Sequence, residues 1–424
     1  VAAFALHPMI VVYGASGMSE AAEAFFVVWC VRRLMLWSDS RHPGDLAGAG
    51  LALGFGYLVR YEMIPAAIGA AIFVGLATAC GAGSGRRTRS LADMAIVLFP
   101  IVVSAAVWAL GGWVVDQELF ATVSSRYGNE SIVRFTMRDN VPTLPAGSAD
   151  WVGIAARMLG MQPFVGIAGG AAVIHWALTR KPTPLAPLAV IAPVLVFAAW
   201  GQATTTTFGY FRYYLLGVPL VICLALGFWA PPARRPQLRP LGQARRVGAA
   251  LLCASVVAGF PVTVIASFNE RIGNQPLQFG FKSLLFPDHT PGSAQDIGHR
   301  RLMVDDRLLA DHLDRLELPD GSVLMDTFSG WGVWLSSARP KQFVITSDFD
   351  FKAALNRPWE YGVRYIVVGN PELYEADAVT VRYPSLWFDG AGMARPVYAV
   401  IGVAGEETLR LYRVTGRPRS PGLP

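Results

Sequence analysis

The sequence predicts a polytopic α-helical membrane protein carrying a C-terminal soluble α/β domain. Two observations lead there. The 424-residue chain is 53% hydrophobic and only 16% charged, against about 25% charged for a typical soluble domain. The apolar excess, which gives a mean hydropathy of +0.40, is also uneven. Long apolar runs fill residues 1–266, and residues 267–424 read as an ordinary soluble domain. We therefore expect a transmembrane domain at 1–266 and an α/β domain at 267–424.

A helix needs about 20 mostly apolar residues to cross a bilayer, fewer where neighbours shield it. That rule places about eight spans, at 19–37, 46–60, 63–80, 93–115, 162–179, 184–200, 212–230 and 247–267. The second is short. Gly50 and Gly54 stand on it, flanked by Gly48 and Gly56, and small residues at such spacing let helices approach closely. Trp37, Trp113, Trp200 and Trp229 fall near span ends, where an aromatic belt is expected. Cys30, Cys80, Cys223 and Cys253 lie in apolar spans without metal-ligand spacing and read as small buried hydrophobes.

Basic residues set orientation. Arg32, Arg33, Arg41, Arg86, Arg87, Arg89, Arg180, Lys181 and the arginines between 234 and 246 share one set of loops. The opposite set holds only Arg60, Arg126, Arg134, Arg138, Arg157 and Arg212. The richer side is expected in the cytoplasm, which puts Glu20 and the soluble tail outside a cytoplasmic (inner) membrane. The net charge of +6 is mostly loop arginine and gives no reason to expect nucleic acid. The outer loop 116–161 is longer than a simple connection requires. Its stretch 151–161 can form an amphipathic helix on the membrane surface.

In the tail, helical periodicity covers 303–317, 331–337 and 349–355. Strand patterns cover 323–326, 343–346 and 364–368, with an antiparallel pair at 397–403 and 408–414. Strands alternating with helices predict a small α/β fold. No glycine-rich phosphate loop follows a strand. Asp326, Asp348 and Asp350 stand at strand ends, where α/β folds place ligands and where turn and cap aspartates are equally at home.

The candidate chemistry lies in the membrane part, on its outer side. Glu20 opens the first long apolar segment, after His7, Tyr13 and a glycine-containing run. Arg60, Tyr61 and Glu62 make an outer hairpin, and Arg212 precedes a late span beside Tyr210 and Tyr213. An arginine fork suits phosphate oxygens. A carboxylate can take or orient a hydroxyl proton, and tyrosines can pack on sugar or prenyl groups. Structural roles stand beside these: Glu20 at a helix dipole, Arg60 paired to Glu62 across the turn, Arg212 snorkelling to the interface, and His7 and His175 as packed histidines. No metal-ligand cluster is present in the sequence, so no metal is expected as a cofactor.

At these residues the chain resembles the GT-C superfamily of polytopic membrane glycosyltransferases. It is most similar to the branch of protein O-mannosyltransferases and lipid A aminoarabinose transferase. The stretches that carry the likeness run from His7-Pro8 to Glu20, from Leu51 to Glu62, and over Phe211-Arg212-Tyr213-Tyr214 with Pro219. The arginine- and alanine-rich style resembles actinobacterial members. The resemblance implies transfer of a sugar from a polyprenyl-phosphate donor to an extracytoplasmic glycan, lipid or protein. Glu20 matches the family's second acidic position. Arg212 matches its donor-phosphate arginine, with Arg60, Glu62, Tyr13, Tyr61 and Tyr213 shaping the pocket. The family's principal acid lies in a first outer loop with no counterpart here. The chain opens on Val1 and reads as N-terminally truncated.

Two other functions fit the same composition. A transporter or flippase of lipid-linked intermediates would show repeated halves and mid-span charges; no convincing repeat is present and the charges gather at one interface. A non-catalytic envelope-assembly protein would use the tail to bind a polymer or partner.

Overall fold

The computed structural model describes residues 1–80, 85–117, 119–120, 150–204, 206–207, 209–229, 239–269, 272–273, 303–374, 376–402 and 405–417. The chain divides into two compact units, 1–111 with 142–278 and 112–141 with 279–424.

The first unit is helical. Its elements are α1 (Ala2–Ala5), α2 (Pro8–Ala15), α3 (Ser19–Ser40), α4 (Pro43–Val59), α5 (Met63–Ala79), α6 (Arg86–Asp116), α7 (Trp151–Met161), α8 (Val165–Thr179), α9 (Ala186–Ala203), α10 (Gly217–Trp229) and α11 (Arg239–Phe268). Short 3₁₀ turns at Thr183–Leu185 and Phe211–Tyr214 precede α9 and α10. The local breaks have identifiable causes. Arg41 closes α3 in the left-handed region at φ 57°. His42, held extended ahead of Pro43, caps α4 by accepting from the Gly44 amide at 3.1 Å. Gln162-Pro163-Phe164 breaks α7 from α8 with a 78° bend.

Helices α3 and α4 pack along each other, as do α5 with α9 and α10 with α11. The glycines explain how close they come. A Cβ on Gly50 would sit 2.8 Å from the Val97 carbonyl oxygen, and one on Gly54 2.9 Å from that of Pro100. The α4 glycine face therefore lies directly on the backbone of α6. Pro100, Pro193 and Pro261 sit inside helices, as membrane helices tolerate.

Among the described residues, three helices are long and apolar enough to cross a membrane: Arg86–Val114, Thr183–Ala203 and Arg246–Phe268. The bent pair α7–α8 makes a fourth if it is one span. The eight expected spans are thus not all met. Helices α4 and α5 have 17 residues each and α10 has 13. Helix α3 is long but carries Glu20, Glu23, Arg32, Arg33 and Asp39. Two further expectations are corrected. Trp37 is fully buried in the helix packing rather than in an interfacial belt, whereas Trp113 and Trp200 are half-exposed. Cys80 is exposed and Cys253 partly so, and only Cys30 and Cys223 are buried.

The second unit holds a five-stranded sheet of order β2-β1-β3-β5-β4. Strands β1 (Val323–Leu324), β2 (Phe343–Val344) and β3 (Tyr365–Gly369) are parallel; β4 (Ala394–Ile401) and β5 (Glu407–Val414) extend it antiparallel. Registers Val323↔Tyr365 and Val367↔Leu411 hold the centre. Alternate side chains serve opposite faces. Leu324, Val344, Ile366, Val368 and Tyr412 pack under α14 (Phe351–Asn356), α15 (Ala378–Arg382) and α16 (Leu386–Asp389). Val323, Met325, Phe343, Val367 and Leu411 pack under α12 (Val304–Asp314) and α13 (Thr327–Ser336). Both faces are covered, which is why these strands read as apolar runs. Helix α13 begins at Thr327, four residues before the expected start, because Asp326 caps it by accepting from the Phe328 amide at 2.8 Å. Asp350 is the N-cap residue of α14, and Asp348 accepts from the Ile345 amide at 2.9 Å. These are the turn and cap roles.

Candidate functional site

The site begins with the local geometry of three segments. Helix α3 starts at Ser19, after Gly17 at φ 68° and an extended Met18. Glu20 and Glu23 stand one turn apart and so share a face. Arg60 ends α4 in an extended conformation, and Glu62 precedes α5 at the N-cap position with its carboxylate turned to Arg60. The third segment is the 3₁₀ turn Phe211–Tyr214. Phe211 and Tyr214, three residues apart, share the buried face of that turn. The Tyr214 hydroxyl donates to Gln202 Oε1 at 2.8 Å. That anchoring leaves Arg212 and Tyr213 for the cluster.

Arg60 is the hub. Its Nη1 lies 2.9 Å from Glu20 Oε1, its Nε 3.3 Å from Glu23 Oε2, and its Nη2 2.5 Å from Glu62 Oε1. Nη1 also donates to Ser19 Oγ at 3.1 Å. Arg212 Nε approaches the same Glu20 oxygen at 2.8 Å, and its terminal nitrogens make no ion pair with a described residue. Tyr210 and Tyr213 stand edge-on to each other. Their rings lie 4.6 and 5.7 Å from the Arg212 guanidinium, and Tyr213 is 5.4 Å from that of Arg60. Such contacts favour a cation over the ring face.

Three carboxylates therefore meet two guanidiniums, and the carboxylates are deep. Glu20 is 3% and Glu23 5% exposed. Charge contact does not complete their bonding. The Arg60 and Arg212 contacts to Glu20 are close but off-line, and neither Glu20 oxygen accepts a hydrogen bond. Glu23 Oε1 and the buried Tyr13 hydroxyl are also without a hydrogen-bond partner. Beside Glu23 lies a narrow crevice of about 10 Å³, lined by Glu23, Arg60, Glu62, Phe197, Thr207 and Tyr213, room for about one water.

The structure brings Glu20, Arg60, Glu62, Arg212 and Tyr213 together, with Tyr13 close enough to feel the charges of Arg212 and Glu20. Tyr61 packs edge-on against Phe197, on the crevice wall. Glu23 was not among the residues expected from sequence. Its signal was present: a second acid three residues after Glu20 in an apolar run. His7 is buried edge-on to Phe260 at 5.2 Å, in a packing role. Arg126, Arg134 and Arg138 lie outside the described residues. Among the described residues, no group of metal-ligating side chains is placed to hold an ion.

Compared with known proteins, the chain matches no family model, no curated protein and no solved structure.

Proposed function

We propose that this protein is an integral membrane glycosyltransferase. It would move a sugar from a polyprenyl-phosphate donor to an acceptor outside the cytoplasmic membrane. The observation that carries the reading is the buried cluster in which Glu20, Glu23 and Glu62 meet Arg60 and Arg212 under the rings of Tyr210 and Tyr213. Carboxylates accept sugar hydroxyls, and guanidiniums suit a phosphate.

The two arginines divide the work. All three nitrogens of Arg60 are turned to carboxylates, so Arg60 holds the acids in place. Arg212 engages Glu20 through Nε alone. Its terminal nitrogens are its means of gripping a donor phosphate, with Tyr210 and Tyr213 framing them. Glu20, tied to both arginines, positions the acceptor or donor hydroxyl. In transfer, the acceptor oxygen bonds the anomeric carbon, the sugar–phosphate bond breaks, and polyprenyl phosphate leaves with the electron pair. The acceptor proton passes to a carboxylate base.

Membrane embedding of the shorter helices completes the proposal. Phe25 and Leu36 on α3, Leu51, Phe55 and Leu58 on α4, and Ile64, Ile68, Ile72 and Leu76 on α5 are exposed. Apolar patches of that extent on successive helices fit lipid contact. This exposure supports membrane embedding of α3, α4 and α5 beside the span-length helices, and the positive-inside count favours an extracytoplasmic tail.

The test is transfer of radiolabelled sugar from a polyprenyl-phosphate donor by membranes carrying the protein. Glu20→Gln and Arg212→Gln should each lower transfer by about 100-fold or more without loss of folded protein. Unchanged transfer in both variants would sink the assignment.

A further inference from the structure

A second cavity lies in the same unit, at the opposite end of α3 from Glu20. It is a partly open hollow of about 550 Å³, and its lining includes Phe73, Leu76, Trp176 and Leu185 together with Arg41 and Arg180. Its size is comparable with ligand pockets of roughly 300–1,000 Å³.

The two arginines are placed alike. Arg41 closes α3 and Arg180 closes α8, both in the left-handed region at φ 57° and 54°. Glycine or asparagine is the usual residue at such a cap. Each amide bonds the carbonyl of the tryptophan four residues back, at 2.8 and 2.7 Å. Each guanidinium then lies over that tryptophan, 4.4 Å from Trp37 and 5.8 Å from Trp176. Neither makes an ion pair with a described residue. The acids closest in charge to Arg41 are Asp39 and Asp93, with Arg89 adding positive charge. Neither acid touches Arg41; Asp39 accepts from the Thr183 hydroxyl at 3.2 Å and Asp93 from that of Thr78 at 2.9 Å. Two cations thus line an otherwise largely apolar hollow.

We propose that this cavity is a binding site for an anionic phospholipid of the cytoplasmic leaflet. The phosphate sits between Arg41 and Arg180, and an acyl chain runs along Phe73, Leu76, Trp176 and Leu185. Basic pockets between membrane helices on the cytoplasmic side recognise anionic headgroups in this way, and arginine over tryptophan is suited to the interface. The proposal rests on the membrane reading above and is independent of sugar transfer.

The test uses the purified full chain, delipidated in detergent and titrated with phosphatidylglycerol or phosphatidylcholine under native mass spectrometry. The wild type should retain phosphatidylglycerol in preference to phosphatidylcholine. Arg41→Gln with Arg180→Gln should weaken phosphatidylglycerol binding by about 30-fold and leave phosphatidylcholine binding unchanged. Equal retention of the two lipids by the wild type, a measurement that needs no variant to fold, would overturn the site. So would displacement of the whole lipid by millimolar inorganic phosphate. Alkaline carbonate extraction separates the premises. Protein released to the supernatant defeats the membrane reading and the lipid site together, whereas membrane-retained protein without lipid preference defeats only the site.

Discussion

Both units bury carboxylates, and they neutralise them differently. In the helical unit, Glu20, Glu23 and Glu62 are met by Arg60 and Arg212, groups brought from separate turns of the chain. Charge is offset but hydrogen bonding is left incomplete. In the α/β unit, Asp326 and Asp377 are both fully buried and are satisfied by what lies at helix starts. Asp326 accepts from the amides of Phe328 and Ala378 at 2.8 and 2.5 Å. Asp377 accepts from the Thr380 amide at 2.9 Å and from the Ser329 hydroxyl. Carboxylates consumed by caps hold a fold together. Carboxylates held by guanidiniums depend instead on charges brought from other segments of the chain.

The contrast can be broken most directly at Arg60. Arg60→Ala strands Glu23 and Glu62 and leaves Glu20 to Arg212 alone, and removing one partner of a buried pair costs about 3–5 kcal/mol. A thermal melt in detergent should show the helical unit destabilised on that scale, where Arg212→Gln, more exposed and tied to one acid, should change the melt much less. Equal melts for the two variants would erase the division of labour between the arginines.

In the α/β unit, Asp326→Ala leaves two amides without their acceptor. Loss of a cap costs roughly 1–2 kcal/mol. Hydrogen exchange of the full chain should rise across α13 and α15, while sugar transfer stays at its wild-type level.

A pH titration sharpens the same comparison. Burial, and then the charge of Asp326, push the Asp377 carboxyl up from its ordinary 3.8 to about 7. A carboxyl raised on folding stabilises the protonated native state. That contribution is full below about pH 4 and is lost as pH rises towards 7. Protection of residues 365–374 and 376–382 from hydrogen exchange should therefore be greater at pH 5 than at pH 8. Asp377→Asn keeps the cap and should flatten that dependence. A steeper dependence in the variant would contradict the assignment.

The smallest effect belongs to charges without burial. Glu360 pairs with Arg357 and Arg417 at 3.3 and 3.2 Å on the surface. Solvent screening leaves such pairs little, so Glu360→Ala should shift stability by less than about 0.5 kcal/mol.

Much of the architecture was legible in the chain. Period-2 and period-3.6 patterns located the strands and helices of the tail to within a few residues, and β5 was recognisable from its alternation alone. The misplaced start of α13 shows the limit. Phe328 and Ser329 carry no strong helical signal, and the cap at Asp326 decides the boundary. In the membrane part, apolar runs located helices but overstated how many are span-length, because α4 and α5 stop at 17 residues. Trp37 shows the same limit: its place near a helix end pointed to an interface, and packing between helices buried it instead.

The candidate site divides along the same line. Sequence alone determined that Glu20, Arg60, Glu62 and Arg212 are ionisable groups at the ends of apolar helices, because a charge costs least there and patterning reveals those ends. Only the tertiary structure decided that Arg60 is spent on three carboxylates, that Arg212 keeps its terminal nitrogens, and that Glu23 belongs with them. The reason is physical. Periodicity reports which face of a helix is apolar, whereas the partner of a buried charge is set by distances between segments as far apart in the chain as Glu20 and Arg212.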